Sequence, residues 1–366
     1  MIEYDGLRLF KYNYVIARLR RDIGNGRWET DGKLPSERRL CELYAVSRVT
    51  LRAALRQLRE EALIEQRRGS GTYLRQSGTA ASEPSPGRVW RVLLLGKKPR
   101  FPIEVDPYYS QLRLGFQHYR LPGREFQVEP LTLPGAESFA EYCRRNSPDW
   151  SGYDGILCAF PLVEQDLDWL ERQRKPYVFL GHPNLSRPVP LVDIDNYRGM
   201  YLAAERLLAR GGHCPLLFYH GYSSPNCQAR LAGYHAALAQ YGIAPDSARE
   251  LEVNDRTSEE TEKILETILR KRLAFDCILA VGDWPALGVL NALGRHRLKI
   301  PDQVRLAVFD AFPWLLEGVH PHPTAVVQPF VLMAEKALEL LCRQAGDSNL
   351  IPQLLIRPVL VDGETT

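Results

Sequence analysis

Beyond residue 88 the chain alternates between short apolar runs and longer amphipathic stretches, almost to its last residues. Trp90–Leu95, Gly155–Phe160, Tyr177–Leu180, Leu191–Ile194, Leu216–Tyr219, Cys277–Val281 and Arg305–Phe309 read as strands. Ser110–Tyr119, Phe139–Arg145, Glu164–Arg172, Gly199–Ala209, Gln228–Gln240, Ser258–Arg270 and Pro285–Arg295 read as the helices between them. Strands that are apolar on both faces must be covered on both sides, and crossover helices do this for parallel strands. The predicted fold class is therefore α/β with parallel sheets. About 280 residues exceed what one core usually holds, so two lobes are expected.

The first 76 residues follow another pattern. Tyr12–Ile23 has helical spacing and ends at Gly24-Asn25-Gly26. A second helix starts after Leu34-Pro35-Ser36, with the Ser36 hydroxyl as its cap. A third starts at Ser47, with Leu51, Ala54, Leu55 and Leu58 on one face and Arg48, Arg52, Arg56 and Arg59 on the other. Leu63-Ile64-Glu65-Gln66 and Thr72-Tyr73-Leu74 read as strands joined by the turn Arg67-Arg68-Gly69-Ser70-Gly71. Two short helices, the second basic on its outer face, followed by a hairpin make a winged helix-turn-helix. One stripe of the second helix packs inward, and the other fits a DNA major groove.

Charge agrees with this division. Residues 1–76 carry sixteen Lys and Arg against ten Asp and Glu, a net of +6, while the rest of the chain nets −3. A basic head on a mildly acidic body is the electrostatic footprint of a polyanion-binding module. Between them residues 77–87 are Ser, Gly, Thr, Ala, Glu and Pro, the composition of a flexible linker. The domains predicted are residues 1–76, linker 77–87 and a body of 88–366.

Other function classes lose ground. No apolar run approaches the ~18 residues of a membrane span, and Met1-Ile2-Glu3-Tyr4-Asp5 lacks the opening of a signal peptide, so a cytoplasmic location and no membrane partner are expected. Seven cysteines without a Cys-x-x-Cys pair read as reduced core thiols. His320 and His322, set among prolines, suit a loop better than a metal cage, and neither a metal nor a cofactor is expected. Phosphate-loop, dinucleotide-fingerprint and nucleophile-elbow motifs do not occur, and no catalytic residue is predicted.

Leu34-Pro35-Ser36-Glu37-Arg38, Val46-Ser47-Arg48-Val49-Thr50-Leu51-Arg52 and Leu63-Ile64 leading to Gly69-x-Gly71-Thr72 closely resemble the GntR-family DNA-binding domain over about Tyr12–Leu74. The resemblance implies that Arg38, Ser47, Arg48, Thr50, Arg52, Arg68 and Gly69 contact double-stranded DNA. Arg48 and Arg52 would read bases, and Arg68 with Gly69 would form the wing tip. Val49 departs from the family, where a polar residue is common.

The body resembles a second family, the LacI/periplasmic-binding-protein-like sensor fold. Tyr153-Asp154-Gly155-Ile156-Leu157, Val192-Asp193-Ile194-Asp195-Asn196, Arg230-Leu231-Ala232-Gly233-Tyr234, Gly282-Asp283, Phe309-Asp310 and Pro323-Thr324-Ala325-Val326-Val327-Gln328-Pro329 carry the likeness in order. It implies two lobes joined by three crossings, the first near Val192–Asn196, with a ligand in the cleft. Lobe one would hold about 88–192 and the helix Phe330–Arg343. Lobe two would hold about 196–312 and a strand near Leu354–Leu360. Tyr108 and Tyr109, on the loop after the first strand, and Phe160, Arg230, Asp283, Trp284, Asp310 and Gln328 would bind the ligand. Arg230 would donate, Asp310 would accept, and the aromatic rings would stack on a sugar. Gly282 departs from the Asn of many sugar-responsive members.

A GntR-type head on a LacI-type body, as in the arabinose-repressor type of build, implies a homodimeric repressor released from operator DNA by a small polar effector such as a sugar. Three alternatives stand beside it: a nucleobase or other non-sugar effector, a solute-binding protein, and an enzyme fused to a DNA-binding head. A pyridoxal enzyme would need a Schiff-base lysine, and Lys263 and Lys271 sit on an amphipathic helix. An enzyme is not expected.

Overall fold

The computed structural model describes, of the body, residues 88–97, 107–119, 121, 123–133, 138–146, 150–159, 162–221, 223–253, 257–347 and 351–366. Of the head it describes residues 15, 19, 22–23, 27–28, 32–44, 48, 51–52, 55, 58–59, 63–67 and 71–74. The expected linker 77–87 lies outside the described residues.

In the head, the helix Glu37–Tyr44 precedes helical backbone at 48, 51, 52, 55, 58 and 59. Strands β1 (Ile64–Arg67) and β2 (Gly71–Leu74) pair antiparallel, Ile64 opposite Leu74. Val15, Leu19, Leu34, Leu40, Tyr44, Leu51, Leu55, Leu58 and Ile64 form one buried cluster, so the apolar stripes of the helices meet the hairpin. The segment before the first of these helices also joins the hairpin: Leu34 N–H donates to Thr72 O at 2.9 Å.

The body is built on two sheets. The first holds β3 (Arg88–Lys97), β4 (Arg124–Leu133), β5 (Gly155–Cys158), β6 (Tyr177–Leu180), β7 (Leu191–Ile194) and β13 (Gln353–Ile356), in the order β13-β7-β6-β5-β3-β4, all parallel. The second holds β8 (Pro215–Tyr219), β9 (Glu250–Glu252), β10 (Cys277–Val281), β11 (Arg305–Phe309), β12 (Thr324–Val327) and β14 (Val359–Val361). Its order is β14-β12-β11-β10-β8-β9, and only β14 runs antiparallel. The central strands β5, β8 and β10 are buried at every residue, as continuous apolar runs require.

Among the described residues the chain passes between the sheets three times. It leaves β7 for the helix Asn196–Ala209, which packs on β10, β11, β12 and β14. It returns from β12 into the helix Phe330–Gly346, which packs on β5, β6 and β7. It crosses again from β13 to β14.

Here the structure corrects one expectation. A single lobe-two strand near Leu354–Leu360 is in fact two strands in different sheets. Pro358 has no N–H for a ladder, and the break at Arg357-Pro358 carries the chain from one sheet to the other. Two edge strands also escape pattern reading. β4 carries Arg124, Glu125, Gln127, Glu129 and Pro130, a composition that an edge tolerates and a buried centre does not. β9 is three residues long. Lys263 is exposed on the helix Glu259–Arg270, as the amphipathic reading required, and Lys271, exposed too, lies just past its end rather than on it.

Candidate functional site

In the head, Ser36 Oγ accepts from Arg39 N–H at 3.3 Å, the cap that opens the helix Glu37–Tyr44. Arg38 lies on its outer face, its Nε 3.2 Å from Glu42. Arg48 and Arg52 are both exposed on the next helical segment. Arg52 Nε donates to Glu37 Oε2 at 2.8 Å, across the two helices. Guanidinium groups carry five donors, so this contact steadies the side chain and leaves donors for a base edge. Ser47, Thr50, Arg68 and Gly69 lie outside the described residues.

In the body, the parallel strands of both sheets bring their carboxyl ends toward the crossings, the usual ligand position of open α/β sheets. The first crossing holds a chain of buried polar groups. Asp193 is 3% exposed and accepts from Ile194 N–H at 2.7 Å. Burial pushes its carboxyl up, while that N–H, the charge of Arg230 and the His182 backbone act against the rise. Asn196 Nδ2 donates to Asp193 Oδ2 at 3.3 Å, and Asn196 Oδ1 accepts from Arg230 Nε at 2.7 Å.

Arg230 lies in the helix Pro225–Gln240, 9% exposed, with its guanidinium 4.5 Å from the centre of the Phe309 ring. Its Nη2 stands 3.8 Å from Asp310 Oδ2. Close helix packing sets this position: a Cβ on Gly233 would fall 2.1 Å from the Tyr197 carbonyl oxygen, so only glycine lets the helices Asn196–Ala209 and Pro225–Gln240 approach this far. Asp310 has φ +69°, a left-handed conformation that Asp tolerates better than most residues, and its N–H donates to Val326 O at 2.8 Å. That geometry turns the carboxylate at the end of β11 toward Arg230. Two of the predicted ligand residues, 80 positions apart, are thus brought together.

The remaining predicted residues divide. Asp283, 6% exposed, accepts from Phe312 N–H at 3.0 Å and so fixes the loop that follows Asp310. Trp284 is half-buried on the next position of the helix Asp283–Arg295, and Gln328 is half-buried on the outgoing crossing. Tyr108 and Tyr109 are not on a loop. Pro107, a residue favoured in the first helical turn, opens the helix Pro107–His118, which takes them both in. Tyr109 is 8% exposed in the core, and a Cβ on Gly96 would fall 2.0 Å from its hydroxyl. Tyr108 lies edge-on to Phe330 at 5.3 Å, and Phe330 stacks on Phe312 at 5.5 Å. Phe160 lies outside the described residues.

Sequence reasoning missed the aromatic pair Phe312–Phe330, the anchoring role of Asn196, and His220. His220 follows β8, and its Nε2 lies 3.7 Å from where a Cβ on Gly282 would be. Gly282 itself has φ +95° and ψ 159°, backbone that essentially only glycine adopts, so an Asn there would require a different chain path.

Comparison with known proteins agrees with this division. Residues 11–74 match the bacterial regulatory proteins of the gntR family, and residues 204–366 match the periplasmic binding protein-like domain. The HTH-type transcriptional repressor PurR of Vibrio campbellii is 28% identical over 204 residues, 54% of this chain and 59% of that protein. The HTH-type transcriptional regulator GalR of Escherichia coli is 27% identical over 208 residues, 56% of this chain and 60% of that protein. The chain therefore spans about 60% of the length of these relatives. Over 65 residues it is 42% identical to the mannosyl-D-glycerate transport/metabolism system repressor MngR of Escherichia coli, 18% of this chain and 27% of that protein.

Among solved structures, the transcriptional regulator CelR–cellobiose complex aligns with TM-score 0.64 at 21% identity, covering 91% of this chain and all of that one. The regulator CcpA of Lactococcus lactis aligns with TM-score 0.63 at 19% identity, covering 76% of this chain and all of that one. These likenesses establish the two-lobed fold. No helix among the described residues is long and apolar enough to cross a membrane. By its two family matches, the chain joins an N-terminal GntR-type helix-turn-helix domain to a periplasmic-binding-protein-like domain.

Proposed function

We propose that this chain is a ligand-responsive DNA-binding transcription regulator, a repressor that a small polar effector, in the first place a sugar, releases from its operator. The observation that carries the reading is the buried arginine at the cleft. Arg230 is tied through Nε to Asn196 at the crossing and faces Asp310 with the far side of its guanidinium. Arginine offers a planar fork of donors and aspartate only acceptors, a combination that suits vicinal hydroxyls. A ligand drawn onto this pair acts on the residue that anchors the crossing, and so on the angle between the lobes. Binding that favours one angle shifts the population of lobe arrangements and, through it, the spacing of two heads on DNA.

In this reading residues 1–76 are the head, 77–87 the linker and 88–366 the effector-binding and dimerising body. Arg38, Ser47, Arg48, Thr50, Arg52, Arg68 and Gly69 face operator DNA. A homodimer follows because one short recognition helix reads too few bases. Sedimentation of the DNA-free full chain at micromolar concentration should give a dimer, and a monomer there would remove the body from that role. The relatives named as transcriptional repressors and regulators support the assignment, as do structural neighbours described with cellobiose and with bound ribose.

A nucleobase is the second reading. It is favoured by Gly282, which offers no side-chain amide to a hydroxyl, and by the flat Phe312–Phe330 stack. A thermal-shift screen of the full chain against sugars and nucleobases separates the two. A ligand at 100 times its dissociation constant stabilises the protein by about 2.7 kcal/mol. Each stabilising compound is then titrated into the protein–operator complex. A stabilising sugar that leaves the complex intact, or no stabilising compound in either class, would count against the proposal.

A further inference from the structure

We propose a divalent metal site on lobe two, formed by His320, His322 and Glu364, none of them a predicted ligand residue, and suited to zinc or a similar late first-row ion. Among the described residues this is the one group of three His, Cys, Asp or Glu side chains whose ligand atoms all lie within 4.8 Å of one another. The two imidazole rings are 4.2 Å apart, centre to centre. Two imidazoles and a carboxylate are a recurring zinc set, with water completing the shell.

Two further features fit a built site. His322 Nδ1 lies 2.9 Å from the carbonyl oxygen of Leu316. A carbonyl only accepts, so Nδ1 carries the hydrogen and the neutral ring holds its lone pair on Nε2. That is the arrangement by which metal-binding histidines are oriented from behind. The carboxylate is equally well held at its base. Glu364 N–H donates to His322 O at 2.6 Å, and His322 N–H donates to Glu364 Oε2 at 2.9 Å. A carboxylate has lone pairs enough for that N–H and a cation together. Thr365, fully buried beside it, donates to Leu306 O at 2.6 Å and accepts from Thr324 N–H at 2.8 Å.

The segment carrying Glu364 is thus pinned to the sheet, and the loop carrying the histidines is pinned to that segment. Ligand atoms around a tetrahedral ion at ~2.1 Å stand roughly 3.4 Å apart. The present spread, up to 4.8 Å, is wider than that, and the exposed side chains of His320 and Glu364 are the ones that turn to close it. Water occupies whatever coordination positions the three side chains do not, which makes this an open site of modest affinity. The bound ion cross-links the loop between the helix Pro313–Gly318 and β12 to the segment beyond β14.

The test uses the full chain, stripped with chelator and titrated calorimetrically with Zn2+, with Co2+ as the spectroscopic probe. The expected result is one ion per chain at this site, and Co2+ bands free of thiolate charge transfer. His322→Ala and Glu364→Gln should each weaken binding by at least about tenfold. All ligands but His322 are exposed, and melting curves without metal check that each variant is folded. Zn2+ should raise the melting temperature of the wild type and not that of the His320→Ala/His322→Ala double variant. Absence of binding, a thiolate band, or wild-type affinity in the double variant would overturn the proposal.

Discussion

Replacing Asp310 with Asn separates charge from shape at the cleft. Asn tolerates the φ of +69° as well as Asp does, so the backbone at the end of β11 is retained. Without ligand the change should be mild. At 3.8 Å the Arg230–Asp310 contact is an ion pair rather than a short hydrogen bond, and Arg230 keeps Asn196 and the Phe309 face. With ligand, one hydrogen bond to a charged acceptor is replaced by one to a neutral amide. Bonds to charged groups contribute about 1.5–3 kcal/mol and neutral ones about 0.5–1.5, a difference of about 1–1.5 kcal/mol, so the effector concentration for half-release should rise about 5- to 12-fold. The assay is fluorescence anisotropy of labelled operator with the full chain, titrated with the compound found by the screen. Half-release within twofold of wild type would refute the reasoning. So would loss of operator binding before any effector is added, because Asp310 would then be holding the fold or the dimer.

Other outcomes follow from the same structure. Arg48→Ala or Arg52→Ala should each weaken operator binding by about 1–3 kcal/mol and relax sequence preference, measured by anisotropy at fixed salt; unchanged binding in both would exclude them as base readers. Gly233→Ala places a Cβ against the Tyr197 carbonyl and should destabilise by about 1–3 kcal/mol, seen as a melting temperature several degrees lower; an unchanged value would show that the two helices can part freely. Burial acts to raise the Asp276 carboxyl, but the N–H groups of Cys214 and His213 bond to it and hold it below the usual carboxylate range. Its folded value lies under its unfolded one, so its contribution is present above about pH 4 and is lost as pH falls through the folded value. Urea midpoints of wild type and Asp276→Asn should therefore converge on acidification, and a constant difference would contradict the assignment.

What the sequence determined by itself was local and periodic. Apolar runs of strand length alternating with amphipathic stretches fixed the parallel α/β body, because each residue's burial there follows from its neighbours a few positions away. The helices and hairpin of the head were legible for the same reason, down to the Ser36 cap. Lobe membership of the helix Phe330–Gly346 and the crossing at Asn196 were legible through the family resemblance.

Local pattern failed at the edges. β4 and β9 carry polar residues that only an edge position permits, and position in a sheet is not written in the strand itself. It failed also where one short segment serves two sheets, as at Pro358. The pairing of Arg230 with Asp310 was anticipated from resemblance, but its geometry was not. Asn196 Oδ1 at 2.7 Å, the Phe309 ring beneath the guanidinium and the left-handed turn at Asp310 come from three separate elements. The place of Tyr109 is not legible in sequence, because a tyrosine after a strand looks the same whether it faces a cleft from a loop or lies in a helix and fills the space over Gly96. His320 and His322 do lie in a loop, as their prolines imply; what spacing does not carry is the approach of Glu364, 42 residues beyond His322, which reaches them only when the segment beyond β14 is drawn onto the sheet. Spacing along a chain encodes helices and strands, whereas a site is a coincidence of side chains in space, and only the packing of whole elements produces it.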